Sequence, residues 1–176
     1  MLFILTGGPG SGKSAIIDEL RTHGYRCAEE SGRKIILEQI EKGGDALPWK
    51  DKEKFRDAMF EHDVAEYKKF ANSNEVIFFD RGFIDSLGYS KLEGLEIPKE
   101  MDRIAHQLRY NSKVFITPPW HEIYHTDSER KQSFEVAVGT YESMVEIYSE
   151  YGYELIEIPK TDIQSRVQFM LEVINR

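Results

Sequence analysis

Gly7-Gly8-Pro9-Gly10-Ser11-Gly12-Lys13-Ser14 is the stretch on which the fold turns. It follows the apolar run Leu2-Phe3-Ile4-Leu5-Thr6 and opens into Ala15-Ile16-Ile17-Asp18-Glu19-Leu20. The spacing is G-x-x-x-x-G-K-[ST] between a strand and a helix, the setting a phosphate-binding loop (P-loop) requires. Glycines carry no Cβ, so the loop from Gly8 through Ser14 can close around a phosphate chain with its backbone N–H groups, Pro9 excepted. The start of the following helix adds partial positive charge and unpaired donors. Lys13 is placed to bridge the β- and γ-phosphates, and the Ser14 hydroxyl to ligate Mg²⁺. A glycine-rich turn that carries Lys-Ser by coincidence is the alternative. The strand before the loop and the helix after it favour a nucleoside triphosphate.

At 176 residues the chain suits one domain, 1–176, with a substantial core. A net charge of −8 disfavours nucleic acid as the partner, because phosphate backbones are held by clustered Lys and Arg. The single cysteine, Cys27, excludes an intrachain disulfide and fits a reducing, cytoplasmic setting. It reads as a packed strand residue, since nothing nearby would activate its thiol. Residues 2–6 are too few for a signal sequence, and no apolar run approaches the roughly 18 residues of a membrane span.

Strands are expected at 25–28, 76–80, 113–117 and 153–158, besides the first. Helices are expected over 13–22, from about 31 to Gly43, over 51–71, twice within 83–110, from Phe134 onward and from Ile163 onward. The helix over 51–71 keeps Phe55, Met59, Phe60, Val64, Tyr67 and Phe70 at a 3.6-residue period. Val76-Ile77-Phe78-Phe79-Asp80 is continuously apolar up to its acid, as in a parallel strand covered on both faces. Alternating strands and helices predict an α/β, three-layer fold with a parallel sheet wrapped on both faces. Right-handed crossovers then bring the catalytic loops to one edge, outside the strand carboxyl ends.

Asp80, closing an apolar strand, is the expected partner of the loop. It either holds Mg²⁺ with Ser14 or accepts a proton from an attacking hydroxyl. Phosphoryl transfer also needs positive charge on the migrating group. Arg81 is one candidate, and Arg130 with Lys131 another. Those two lie in residues 119–133, a polar candidate lid that could close over the phosphates. For Arg130 the alternative is a solvated helix start, with Asp127 or Ser128 as its cap. Glu30 and Arg33 follow the second strand. They either bind hydroxyls or a carboxylate of a second substrate or serve the start of a helix. Trp49 can stack on a planar ring or simply pack, and Trp120 shares that ambiguity. The histidines show no metal spacing.

The set Leu5 to Ser14, Glu30 with Arg33, Phe78-Phe79-Asp80-Arg81-Gly82, and Pro118-Pro119-Trp120 with Asp127, Arg130 and Phe134 resembles a family of small AAA-domain-type P-loop ATPases. It is also similar to the nicotinamide riboside kinase domain of bifunctional NAD-biosynthesis regulators and, more distantly, to nucleoside and thymidylate kinases. The resemblance covers nearly the whole chain. It implies a five-stranded sheet in the order 2-3-1-4-5, an acceptor hydroxyl beside Asp80, phosphate positioning by Arg81 and a lid role for Arg130. It also implies ATP with Mg²⁺. GTP is the weaker candidate, because Pro159-Lys160-Thr161-Asp162 carries Pro where a guanine motif expects Asn or Thr, and Asp85-Ser86-Leu87-Gly88 lies too far past its strand. The same last loop, around Pro159, is the implied wall for the base. The ring-assembly motifs of large AAA machines are missing. Three functions compete: a small-molecule kinase, a regulatory ATPase or switch with a protein or lipid partner, and a binding module with a structural nucleotide. The charged residues after the second and third strands favour the kinase.

Overall fold

The computed structural model describes residues 1–124 and 133–175. Five strands, β1 (Leu2–Gly7), β2 (Arg26–Ala28), β3 (Ile77–Asp80), β4 (Lys113–Thr117) and β5 (Glu154–Glu157), form one sheet in the order β2-β3-β1-β4-β5. Every pairing is parallel. The sheet order that the family resemblance implied is therefore the one observed.

Alternation along β1 builds two cores at once. Leu2 and Ile4 pack on one face, Phe3 and Leu5 on the other. β3 does the same with Ile77 and Phe79 against Phe78. On one face lie α1 (Lys13–Thr22) and α7 (Ile163–Ile174), which contribute Ile16, Ile17, Leu20, Val167 and Met170. The other face carries α3 (Lys52–Phe70), α4 (Phe83–Glu93), α5 (Lys99–Gln107) and α6 (Phe134–Glu150). The helix α2 (Ser31–Lys42) packs on α3. Asp51 starts α3 by accepting the Lys54 N–H at 3.0 Å.

The apolar period of α3 holds, but it hides two buried charges, Arg56 and Asp63. Arg56 is retained because its guanidinium donates to the Glu96 carbonyl at 2.8 Å and to Ser90 Oγ at 3.2 Å. The expected strand ends each shrink by a residue or so, at Tyr25, Val76, Tyr153 and Ile158, where ladder pairing stops.

Gly7 turns the chain out of β1 with φ 131°. A Cβ there would stand 2.3 Å from Thr117 Oγ1 and 2.5 Å from the Thr117 carbonyl oxygen. Gly24 also has a left-handed φ, of 85°, but nothing lies within 4 Å of its would-be Cβ. Gly7→Ala is therefore expected to cost more than about 3 kcal/mol and Gly24→Ala about 1 kcal/mol, as read by urea unfolding. Equal costs would contradict the close approach of β4 to the loop.

Candidate active site

The loop after β1 is clamped from three directions. Ser11 Oγ donates to the Gly8 carbonyl at 2.7 Å and shares a hydrogen bond of 2.6 Å with Thr117 Oγ1 at the end of β4. Arg166, from α7, donates to the Ser11 carbonyl at 3.0 Å and lies over the Trp120 ring. The buried Lys13 ammonium donates to the carbonyls of Gly7 at 3.1 Å and Gly8 at 2.7 Å. Gly12 caps α1 with no side-chain bond, so the helix start presents its donors to the loop.

β3 runs beside β1, with Leu5 opposite Asp80, and so carries Asp80 to the same edge. Asp80 is 8 % exposed, and its Oδ1 has no hydrogen-bond partner among the described residues. Arg81 follows with φ 69°, an uncommon conformation for a non-glycine residue. Its backbone N–H donates to the Leu5 carbonyl at 3.0 Å. Its guanidinium donates to Glu30 Oε1 at 3.0 Å and to Asp85 Oδ1 at 3.3 Å. These anchors hold the strained turn and bring β2, β3 and α4 together.

Asp85 is the hub that the sequence did not disclose. Its Oδ1 also accepts the Thr6 hydroxyl. Its Oδ2 accepts the Gly82 N–H at 3.0 Å and the Tyr148 hydroxyl at 2.6 Å. In sequence it looked like part of a misplaced guanine motif. Its position three residues after the Gly82 cap, and four after Arg81, was the available signal.

The electrostatics follow from burial. Desolvation pushes Lys13 down to about 7; the nearby Arg81 adds to this, while Asp80 and Glu30 oppose it. Desolvation pushes Asp80 up to about 6, with Lys13 opposing and Glu30 reinforcing. For Glu30, burial works against ionisation, but Arg81, Lys13 and Arg33 together hold it below the usual carboxylate range. Burial would also lower Arg81, yet Glu30, Asp85 and Asp80 keep it firmly charged.

Ser14, Glu30, Arg33 and Asp80 line one cleft of about 450 Å³, walled by α1 and α2. Trp49 is 63 % exposed and is not among the lining residues. Arg130 and Lys131 lie outside the described residues, as does most of the 119–133 segment. Cys27 is half-buried, and burial pushes its thiol up to about 11, in keeping with a packing role. Thr117 and Arg166 are further loop supports that strand and helix periodicity did not single out. Among the described residues no His, Cys, Asp and Glu gather as a ready-made metal centre. The unpartnered Asp80 oxygen and the Ser14 hydroxyl do suit a hard cation that arrives with a nucleotide.

Comparison with solved structures returns the same architecture. A deoxyadenosine kinase from M. mycoides, solved with dCMP and dCDP, superposes with a TM-score of 0.70 at 16 % identity, covering 99 % of both chains. The same enzyme with dATP gives 0.64 at 18 % identity over 100 % of both chains. Thymidylate kinase from Candida albicans gives 0.69 at 13 % identity, covering 99 % of this chain and 90 % of that one. At such identities the likeness establishes the P-loop kinase fold. A search of curated protein sequences returns no match. A family profile described as an AAA domain matches residues 2–166, from the first strand to the arginine that braces the loop, and this chain therefore belongs to that family of P-loop proteins.

Proposed function

We propose that the protein is a phosphotransferase that moves the γ-phosphoryl group of ATP to a hydroxyl of a small acceptor, nucleoside-like or of another kind. The observation that carries this is Asp80. It is a buried carboxylate with an unpartnered oxygen, in the cleft that also holds Ser14, Glu30 and Arg33. A protein that only binds a nucleotide has no need of an acceptor pocket of charged residues beside the P-loop.

Residues 8–14 take the triphosphate, and Lys13 balances charge on its β- and γ-groups. Ser14 would hold Mg²⁺, which when bound screens the phosphate oxygens. Asp80 takes the acceptor hydroxyl's proton as its oxygen bonds to the γ-phosphorus and the bridging oxygen leaves on ADP. A carboxyl near 6 has the basicity for that task at neutral pH. Arg81, fixed by Glu30 and Asp85, sets the turn and adds positive charge. From its place in the sequence we assign Arg130 as a further cation, supplied by the 119–133 segment. Glu30 and Arg33 face the acceptor. ATP is preferred to GTP, and the reaction belongs in the cytoplasm. Among the described residues no helix is long and apolar enough to cross a membrane.

The pH profile follows from the two shifts. Below about 6 Asp80 is protonated and cannot accept a proton; above about 7 Lys13 loses the charge the phosphates need. A plot of kcat/KM against pH, which reports the free protein, is expected to be a narrow bell peaking between these values. A profile flat from pH 5 to 9 would contradict the assignment. The function itself is tested by phosphorus NMR. The protein is incubated with ATP, Mg²⁺ and pooled nucleosides, nucleotides, ribosides and sugars. A new phosphoester is expected. Inorganic phosphate alone, at a rate no pool changes, would favour a regulatory ATPase instead.

A further inference from the structure

Arg166 lies on α7 and is 3 % exposed. Its Nη2 donates to the Ser11 carbonyl at 3.0 Å, and Nη1 lies 2.6 Å from where a Cβ on Gly12 would stand. The Trp120 ring covers the guanidinium, with its centroid 5.6 Å away. Nε is buried and has no hydrogen-bond partner among the described residues. No carboxylate among the described residues pairs with this charge. Asp162, one turn earlier, is committed to capping α7, where it accepts the Ser165 N–H at 3.0 Å and the Ser165 hydroxyl at 2.7 Å. Lys13 and Arg81, the other buried cations of the site, both have carboxylates nearby. Burial holds Arg166 below the usual arginine range, with no acid opposing the shift. A buried cation without a counter-charge is costly to the free protein. Its placement against the phosphate loop points to the anion that would offset that cost.

The bond to Ser11 also sets the geometry of the loop. In a trans peptide the carbonyl and the following N–H point in opposite directions. Holding the Ser11 carbonyl towards α7 therefore turns the Gly12 N–H away from α7. Gly12 has φ 86°, and without a Cβ it would let this peptide swing if nothing held it. A cation on the carbonyl also polarises the peptide and strengthens its N–H as a donor. Resting on the nucleotide-binding part of the assignment above, we infer that Arg166 is a positioning residue of the phosphate loop. It holds the Ser11–Gly12 peptide so that the Gly12 N–H meets the phosphate chain, and the charge of that chain supplies the counter-ion that the guanidinium lacks. The chemistry recognised is the polyphosphate, not the base and not the acceptor. Burial under Trp120 keeps water from the guanidinium, so its charge acts across the loop with little screening.

The test compares wild type with Arg166→Met, which keeps a long unbranched side chain without charge, and Arg166→Lys, which keeps the charge. Calorimetry with Mg²⁺ and either a non-hydrolysable ATP analogue or ADP reads affinity. Thermal melting of the nucleotide-free protein reads the fold, and the Gly12 amide resonance reads the peptide. Arg166→Met is expected to weaken the ATP analogue about thirtyfold and ADP about tenfold, the larger loss going with the larger phosphate charge. Its nucleotide-free Tm is expected to stay within about 3 °C of wild type, because loss of the carbonyl bond is offset by removal of an unmatched buried charge. Arg166→Lys is expected to bind the analogue within about fivefold of wild type. The wild-type Gly12 amide proton is expected to move downfield when the analogue binds, and to move less than about half as far in Arg166→Met. A Tm lowered by more than about 3 °C in Arg166→Met would overturn the inference, since Arg166 would then serve the fold. Equal losses for the two nucleotides would overturn it too, as would Arg166→Lys binding as weakly as Arg166→Met, or a Gly12 shift that the substitution leaves unchanged. Phosphorus NMR with the hydroxyl pool separates this inference from the kinase assignment. A wild type that binds the analogue and transfers to nothing sinks the kinase and leaves the Arg166 comparison standing. Transfer by wild type, with Arg166→Met binding nucleotide as tightly, sinks only the inference. A wild type that binds neither nucleotide overturns both.

Discussion

Asp80→Asn is expected to lower kcat/KM by about 10³-fold while changing the dissociation constant for Mg²⁺·ATP by less than about threefold. The substitution keeps the shape of a buried side chain, so the sheet edge should persist. It removes the cleft carboxylate that burial pushes up to about 6. It also removes the negative charge opposite Lys13. The Lys13 ammonium is then left with Arg81 beside it and less to offset its burial. Its pKa is expected to fall further, and the alkaline limb of the residual activity should move to lower pH. Calorimetry for binding and steady-state kinetics for turnover separate the two roles open to Asp80. If Mg²⁺·ATP affinity falls by tenfold or more in step with turnover, Asp80 is a metal anchor and not the base.

Asp85→Asn is expected to destabilise the fold by about 3 kcal/mol, lowering Tm by about 6 to 12 °C for a chain of this size, and to reduce turnover about 100-fold. Each carboxylate oxygen accepts one hydroxyl and one N–H. Thr6 and Arg81 meet Oδ1; Tyr148 and the Gly82 backbone meet Oδ2. The hydroxyls can rotate and accept from an amide. The Gly82 N–H and the Arg81 guanidinium cannot. Whichever way the asparagine turns, its NH₂ faces one of those two donors, and a buried donor is left unpaired. If the guanidinium is the loser, its bond to Glu30 and the backbone bond to Leu5 are left to hold Arg81 in its left-handed turn, and the cleft loosens. Urea unfolding gives the first quantity and acceptor-dependent turnover the second. A cost below about 1 kcal/mol would mean that the four bonds are not cooperating as a hub.

These two residues mark how far the sequence could be read. Asp80 was legible because an apolar run ending in an acid has a period and a position, and a P-loop elsewhere in the chain supplies its meaning. The strand–loop–helix setting of residues 2–20 and the alternation of strands and helices likewise carry local signals that survive without coordinates. Asp85 had only weak local spacing around it. Its partners are Thr6, 79 residues away, and Tyr148, 63 residues away, and each looks ordinary where it stands. Arg166 reaches Ser11 across 155 residues for the same kind of reason, and Thr117 reaches it from the end of a neighbouring strand. Periodicity reports which face of an element is buried. It does not report which buried polar groups meet. Glu30 lies between. A charged pair with Arg33 beside a strand end suggested a site, but its main partner proved to be Arg81, which only the sheet order β2-β3-β1 brings near.

The cleft beside the P-loop is expected to pass a phosphoryl group to an acceptor and not merely to hydrolyse ATP. The most direct measurement follows the γ-label of radiolabelled ATP, in the presence of Mg²⁺ and a mixed pool of hydroxyl compounds, with wild type and Asp80→Asn side by side. The expected result is label in a new organic phosphate for wild type, reduced about 10³-fold in the variant. Label found only in inorganic phosphate, released equally by both proteins, would contradict the account.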